Sequence, residues 1–146
     1  LRIEIVIKQE IDEPYVIVYA KEITKDIQYM VDIIGNTYNK KFTGIKDQKI
    51  FMLNHDDIYC FYSENQKVYA KTDNGNLSVK QKLYQLEELL KGSSFIRVSN
   101  ACIANVDKIK NIDISFSGTL ALKFKNGDLE FVSRRYVSKI KEYLGI

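Results

Sequence analysis

The chain has 146 residues, 45% of them apolar, and a formal net charge of +3. That length suits one domain, or one domain with a small extension, and can bury a real core without staples. No apolar run approaches the ~20 residues of a membrane-spanning helix and no secretory signal pattern opens the chain, while two cysteines, Cys60 and Cys102, are too few for a disulfide framework or a metal-ligand cluster.

The first residues alternate, with Ile3, Ile5 and Ile7 set against Arg2, Glu4 and Lys8, which predicts a strand. Asp12-Glu13-Pro14 signals a turn, and residues 15–20 predict a second strand. Ile23, Ile27, Val31 and Ile34 then follow helical spacing, with Thr24 near the start and Gly35-Asn36 as the stop. A short strand–strand–helix extension is therefore expected over residues 1–44. Residues 37–46 read as a polar connector.

From about Gln48 the pattern is all strand, at 49–53, 58–63, 67–72 and 77–79, with a hairpin at Asn74-Gly75. Leu83, Leu86, Leu89 and Leu90 form one helical face within residues 81–90, ended by Gly92-Ser93-Ser94. Residues 95–98 predict a strand, Ser99-Asn100 a polar corner, 101–104 one apolar helical turn, and a new strand begins near Asp107. Strands at 109–116, 120–124 and 129–132 follow, the last two joined at Asn126-Gly127. Ser133 is placed to cap a final helix whose buried stripe is Val137, Ile140 and Leu144. The expected fold is mainly β (α+β): an antiparallel β-domain over residues 45–146 with one internal and one C-terminal helix.

Catalysis finds no support. There is no P-loop, no Gly-x-Gly-x-x-Gly and no Gly-x-Ser-x-Gly, and His55, the single histidine, sits in an acidic turn and reads as structural or solvated. Asp56 and Asp57 beside it lack any metal-loop context. No metal or cofactor is expected. Cys60 and Cys102 read as buried free thiols in a reducing, cytoplasmic compartment.

Charge is more informative. Residues 1–76 carry 10 basic and 12 acidic side chains, whereas residues 77–146 carry 12 basic and 7 acidic, a bias that suits a polyanionic partner. Arg134 and Arg135 fall in the first turn of the last helix, where the helix dipole disfavours cations. A guanidinium there can grip a phosphate or the O6 and N7 of guanine; the plain alternative is solvation, or pairing with Asp128 or Glu130. Lys139 continues the Arg135 side as a phosphate contact. Asn100 can bond adenine bidentately or cap the short helix after it. Arg97 either faces outward as a backbone clamp or pairs with a neighbouring acid, and Lys67 is a strand-end lysine.

These residues also carry a resemblance. Phe95-Ile96-Arg97-Val98-Ser99-Asn100-Ala101, then Ile103 with Asn105 and Asp107-Lys108-Ile109, look like the central signature of the LytTR family. Ser117-Gly118, Phe124-Lys125-Asn126-Gly127 and Val132-Ser133-Arg134-Arg135-Tyr136-Val137 follow in the family's order, and residues 57–69 resemble its entry strands. The resemblance implies a bacterial regulator's DNA-binding domain that reads successive major grooves of double-stranded promoter repeats through loops, commonly as a homodimer. By position it assigns base reading to Ser99 and Asn100 and to Arg135, with Ser133 and Arg134 adjacent, and a first reading position near Lys67. The chain departs from the family at the central corner, where Ser99 and Asn100 replace the usual His and Arg or Lys, and Ala101 the usual Ser. About 45 upstream residues are too few for a receiver domain, which implies a stand-alone member taking its input from a partner protein, a small membrane protein among the candidates. The alternative reading is a protein-interaction module using exposed strand edges, with the basic face incidental.

Overall fold

The computed structural model describes residues 4–12, 14–39 and 42–146. Helix α1 (Lys25–Asn39) is followed by the strands β1 (Phe42–Lys46), β2 (Lys49–Leu53), β3 (Ile58–Glu64), β4 (Lys67–Thr72) and β5 (Gly75–Val79). Helix α2 (Leu83–Leu89), β6 (Phe95–Ser99), β7 (Cys102–Asn105), β8 (Ile109–Ile114), β9 (Leu120–Phe124), β10 (Leu129–Phe131) and helix α3 (Arg134–Leu144) complete the chain. Seven strands form one sheet in the order β2-β1-β5-β4-β3-β7-β6, and three form another in the order β10-β9-β8. Every pairing in both is antiparallel.

The central strand explains the layering. Residues 58–61 of β3 are all buried: Ile58 and Phe61 enter one core, Tyr59 and Cys60 the other, with a register shift between Ile58 and Cys60. On one face, Phe61 packs with Val68, Leu77, Phe95 and Ile103 under Leu83, Leu86 and Leu90 around α2. On the other, Cys60, Val98 and Cys102 meet Leu120, Leu122 and Phe124 of β9 and Ile140 of α3. Ile140 is 2% exposed, and trimming such a side chain to alanine costs about 2–5 kcal/mol, enough to loosen α3 from the sheet. Both cysteines are free and buried. The Cys102 thiol is held well above the usual range by its hydrogen bond to Cys60 and by burial, so that thiol is not poised to react.

The internal and C-terminal helices and both Asn-Gly turns lie where the sequence put them, with Gly75 at φ +100° and Gly127 at +92°. The N-terminal extension differs. Residues 4–12 and 14–24 contain no strand, although Ile5, Ile7 and Tyr19 keep the alternating apolar pattern and are exposed. Alternation supplies a face, but a strand also needs a backbone partner, and no pairing reaches these residues. The helix of that extension is present: Thr24 Oγ1 accepts the Ile27 amide at 3.3 Å. It runs through Gly35-Asn36 to Asn39, because glycine inside a helix costs only about 1 kcal/mol and stops one only by turning left-handed.

The polar connector expected over 37–46 contains β1. It turns into β2 at Asp47 and Gln48, both at positive φ, the pattern of a tight hairpin turn made without glycine. Gly44 lets β1 lie against β5: a Cβ there would stand 2.6 Å from Leu77 Cβ. Of the predicted α2 face, Leu83, Leu86 and Leu90 are buried, and Leu89 is 40% exposed.

Candidate nucleic-acid interface

The predicted one-turn helix at 101–104 is a strand. β6 and β7 form a hairpin with Ser99 opposite Cys102 and a register shift between Arg97 and Ser99. The residues from Cys102 to Asn105 are all buried, because they run between β3 and β6 in the sheet, where a helical turn has no room. Asn100 therefore caps nothing; it is an exposed turn residue. The short helical turn that follows β7, at Val106–Lys108, is capped by Asn105, whose side chain accepts the Asp107 amide at 3.1 Å.

Asn105 does more than cap. It is 1% exposed, accepts Ser94 Oγ at 2.9 Å, and donates to the carbonyls of Ile58 at 2.9 Å and His55 at 3.2 Å. A buried amide with all these partners fixes the strand end rigidly. His55 is structural, stacked on Phe42 and edge-on to Phe95.

The corner is built from within. Ser99 Oγ accepts the Ala101 amide at 3.2 Å, a turn closed by its own side chain. Arg97 donates from Nε to the Ser99 carbonyl at 2.7 Å and from Nη2 to the Asn100 carbonyl at 2.6 Å. Its Nη1 donates to Glu87 Oε2 on α2 at 2.9 Å. Of the two roles open to Arg97 in the sequence, the structure has it paired with an acid, its planar fork bracing the loop.

Two contacts tie this corner to α3. The Ser133 amide donates to the Val98 carbonyl at 3.0 Å, and the Tyr136 hydroxyl donates to Asn100 Oδ1 at 3.2 Å. Ser133 occupies the N-cap position, but its hydroxyl makes no capping hydrogen bond. Arg134, Arg135 and Lys139 are exposed. Among the described residues no carboxylate lies within ion-pair distance of any of them; Asp128 is engaged instead by Lys71 at 3.3 Å. The Arg135 guanidinium lies over the Tyr136 ring, 5.8 Å from its centroid. The sheet thus brings the residues at 99–100 and 133–135 to one place.

Lys67 lies at the same end of the large sheet. It opens β4 opposite Glu64, one residue pair beyond Ser63, whose amide donates to the Ala101 carbonyl at 2.8 Å. The Asn65-Gln66 turn, both residues at positive φ, projects past the corner there. From β6 to β4 is three strand spacings, roughly 14 Å, so Lys67 is a neighbour of the corner and not part of it. Sequence reasoning gave no role to Tyr136 or Glu87. An aromatic residue directly after the paired arginines was the available signal for the first; nothing local marked the second.

This is a small antiparallel β-domain that presents a donor-bearing corner and a basic helix start on one end. Residues 48–145 match the family model of the LytTr DNA-binding domain. The chain belongs to the LytTR family, and that region is a DNA-binding domain. A solved LytTr DNA-binding domain from Bacillus cereus superposes with a TM-score of 0.70 at 26% identity, covering 74% of this chain and 99% of that one. Uncharacterized HTH-type transcriptional regulators of Staphylococcus aureus strains NCTC 8325 / PS 47 and COL are each 29% identical to the chain, across 100% of it and 99% of their own length. No two of the described helices are consecutive in the chain, so the helix-turn-helix in those relatives' names has no counterpart among the described residues.

Proposed function

We propose that the chain is a sequence-specific transcriptional regulator that reads the major grooves of duplex DNA through the 99–101 corner and the start of α3, and that it is not an enzyme. The observation that carries this is the joining of the two corners by Ser133 N to Val98 O and by Tyr136 to Asn100. Two loops locked to each other can present Asn100 and Arg135 as one rigid reading unit, with preorganised donors aimed at base edges. Lys67, Arg134 and Lys139 are the phosphate contacts of the proposal, and Ser99, Ser133 and Arg97 shape the surface. Residues 1–44 are an extension to a DNA-binding unit at 45–146.

The same proposal includes action in the cytoplasm, as a homodimer on paired promoter repeats, with input from a partner protein. What supports a protein partner is apolar exposure: Ile5, Ile7, Val16, Ile17, Tyr19 and Ile23 are all more than half exposed, more than a solitary chain usually leaves to water. No helix among the described residues is long and apolar enough to cross a membrane.

A mobility-shift titration against the duplex upstream of the chain's own gene tests the reading. Wild type should bind it in preference to scrambled duplex, Arg135→Ala should abolish that preference, and raising salt should weaken binding steeply. Equal binding of both duplexes by wild type, or salt-insensitive binding, would reject it.

A further inference from the structure

We infer that Tyr136 is a positioning residue that holds back the Asn100 side-chain oxygen and leaves its amide NH2 as the reading group, so that Asn100 selects guanine over adenine. The inference rests on the DNA-reading site proposed above and specifies its base preference. Adenine's major-groove edge offers one acceptor and one donor, and an asparagine matches it by using both its amide nitrogen and its amide oxygen. Guanine offers two acceptors there, O6 and N7.

Each acceptor of this corner already receives a hydrogen bond from within the protein. Asn100 Oδ1 receives the Tyr136 hydroxyl at 3.2 Å. The main-chain carbonyls of Ser99 and Asn100 receive Arg97 at 2.7 and 2.6 Å. The Ala101 carbonyl receives the Ser63 amide at 2.8 Å, and Ser99 Oγ receives the Ala101 amide at 3.2 Å. The Asn100 amide NH2 is left without a hydrogen-bond partner among the described residues, the Arg135 guanidinium lies beside Tyr136, and both are donors. A tyrosine on α3 that holds the asparagine oxygen fixes the orientation of the amide, and reorienting the amide to set its oxygen on adenine's N6 and its NH2 on N7 costs that contact. The two donors fit a G·C pair presented by its guanine.

Tyr136→Phe separates this role from simple packing. It removes the hydroxyl and keeps the ring on which Arg135 rests. The hydroxyl contact is exposed, so its loss leaves the buried face of α3 intact.

The full chain is used to select from a pool of randomised duplex DNA, with the bound fraction sequenced, for wild type, Asn100→Ala and Tyr136→Phe. Wild type should enrich a G·C pair, by about fivefold to a hundredfold over A·T, at a position whose preference Asn100→Ala erases. Tyr136→Phe should bring A·T close to parity with G·C at that position alone, leaving the position that depends on Arg135 unchanged. An A·T preference in the Asn100-dependent position, or a Tyr136→Phe profile identical to wild type, overturns the inference while the DNA-reading site stands. If Asn100→Ala alters no position, or wild type enriches no sequence, the site itself fails and the inference with it.

Discussion

Arg97 joins helix α2 to the reading corner: its Nη1 lies 2.9 Å from Glu87 Oε2 while Nε and Nη2 hold the carbonyls of Ser99 and Asn100. The three contacts need a planar fork, which lysine lacks. Arg97→Lys should therefore lower the melting temperature, since hydrogen bonds to a charged group contribute about 1.5–3 kcal/mol. It should also weaken binding to the selected duplex more than to random duplex. Equal losses on both duplexes would mean that Arg97 meets phosphate instead.

Arg134 and Lys139 are exposed and without carboxylate partners among the described residues. If they neutralise phosphates, Arg134→Ala and Lys139→Ala should each reduce the slope of log affinity against log salt by about 1. Base preference should not move in either variant. Fluorescence anisotropy at several salt concentrations measures both quantities, and an unchanged slope would remove that residue from the interface.

Asn105 sits under the hairpin that carries the corner, with one acceptor and one donor group serving four partners. Asn105→Ala leaves the Ile58 carbonyl and the Ser94 hydroxyl without their partner. Each group stranded in this way costs about 1–3 kcal/mol, so a loss on the order of 3 kcal/mol or more is expected in urea denaturation. A loss under about 1 kcal/mol, the size of one ordinary hydrogen bond, would show that water replaces the amide.

Much of this was legible in the sequence, and the exceptions share a cause. Asn74-Gly75 and Asn126-Gly127 announced their hairpins because glycine there adopts positive φ. Asp47-Gln48 makes an equally tight turn with no glycine to mark it, so β1 was hidden in a polar stretch. The run from Ala101 to Ala104 is short, small and apolar, and nothing in a window that short separates a buried strand from a helical turn. Only its position between β3 and β6 decides it. For the site, charge pointed to Arg134 and Arg135 and the family resemblance to Asn100 and Arg135, yet the connection between the two corners runs through Tyr136, 36 residues from Asn100. Arg97 was visible as a residue but not as a brace, because Glu87 reaches it from a helix that the chain order places before the strand.

Glu130 offers a test of the small sheet by pH. It is half-buried on β10, and burial raises its pKa above the usual carboxylate value, with Lys71 pulling it partly back. The fold thus favours the neutral acid more than the unfolded chain does. The corresponding stability is fully present below the ordinary glutamate range and is lost as pH rises through the raised folded value. Glu130→Gln keeps the shape and removes the ionisation. It should melt higher than wild type at neutral pH, and the gap should close on acidification to below the ordinary glutamate range. The Lys71–Asp128 pair at 3.3 Å is present in both proteins and does not contribute to the difference. Melting curves across that range decide it: a variant less stable at neutral pH would mean that Lys71 outweighs burial, and a gap independent of pH would mean that the charge at 130 is not the source.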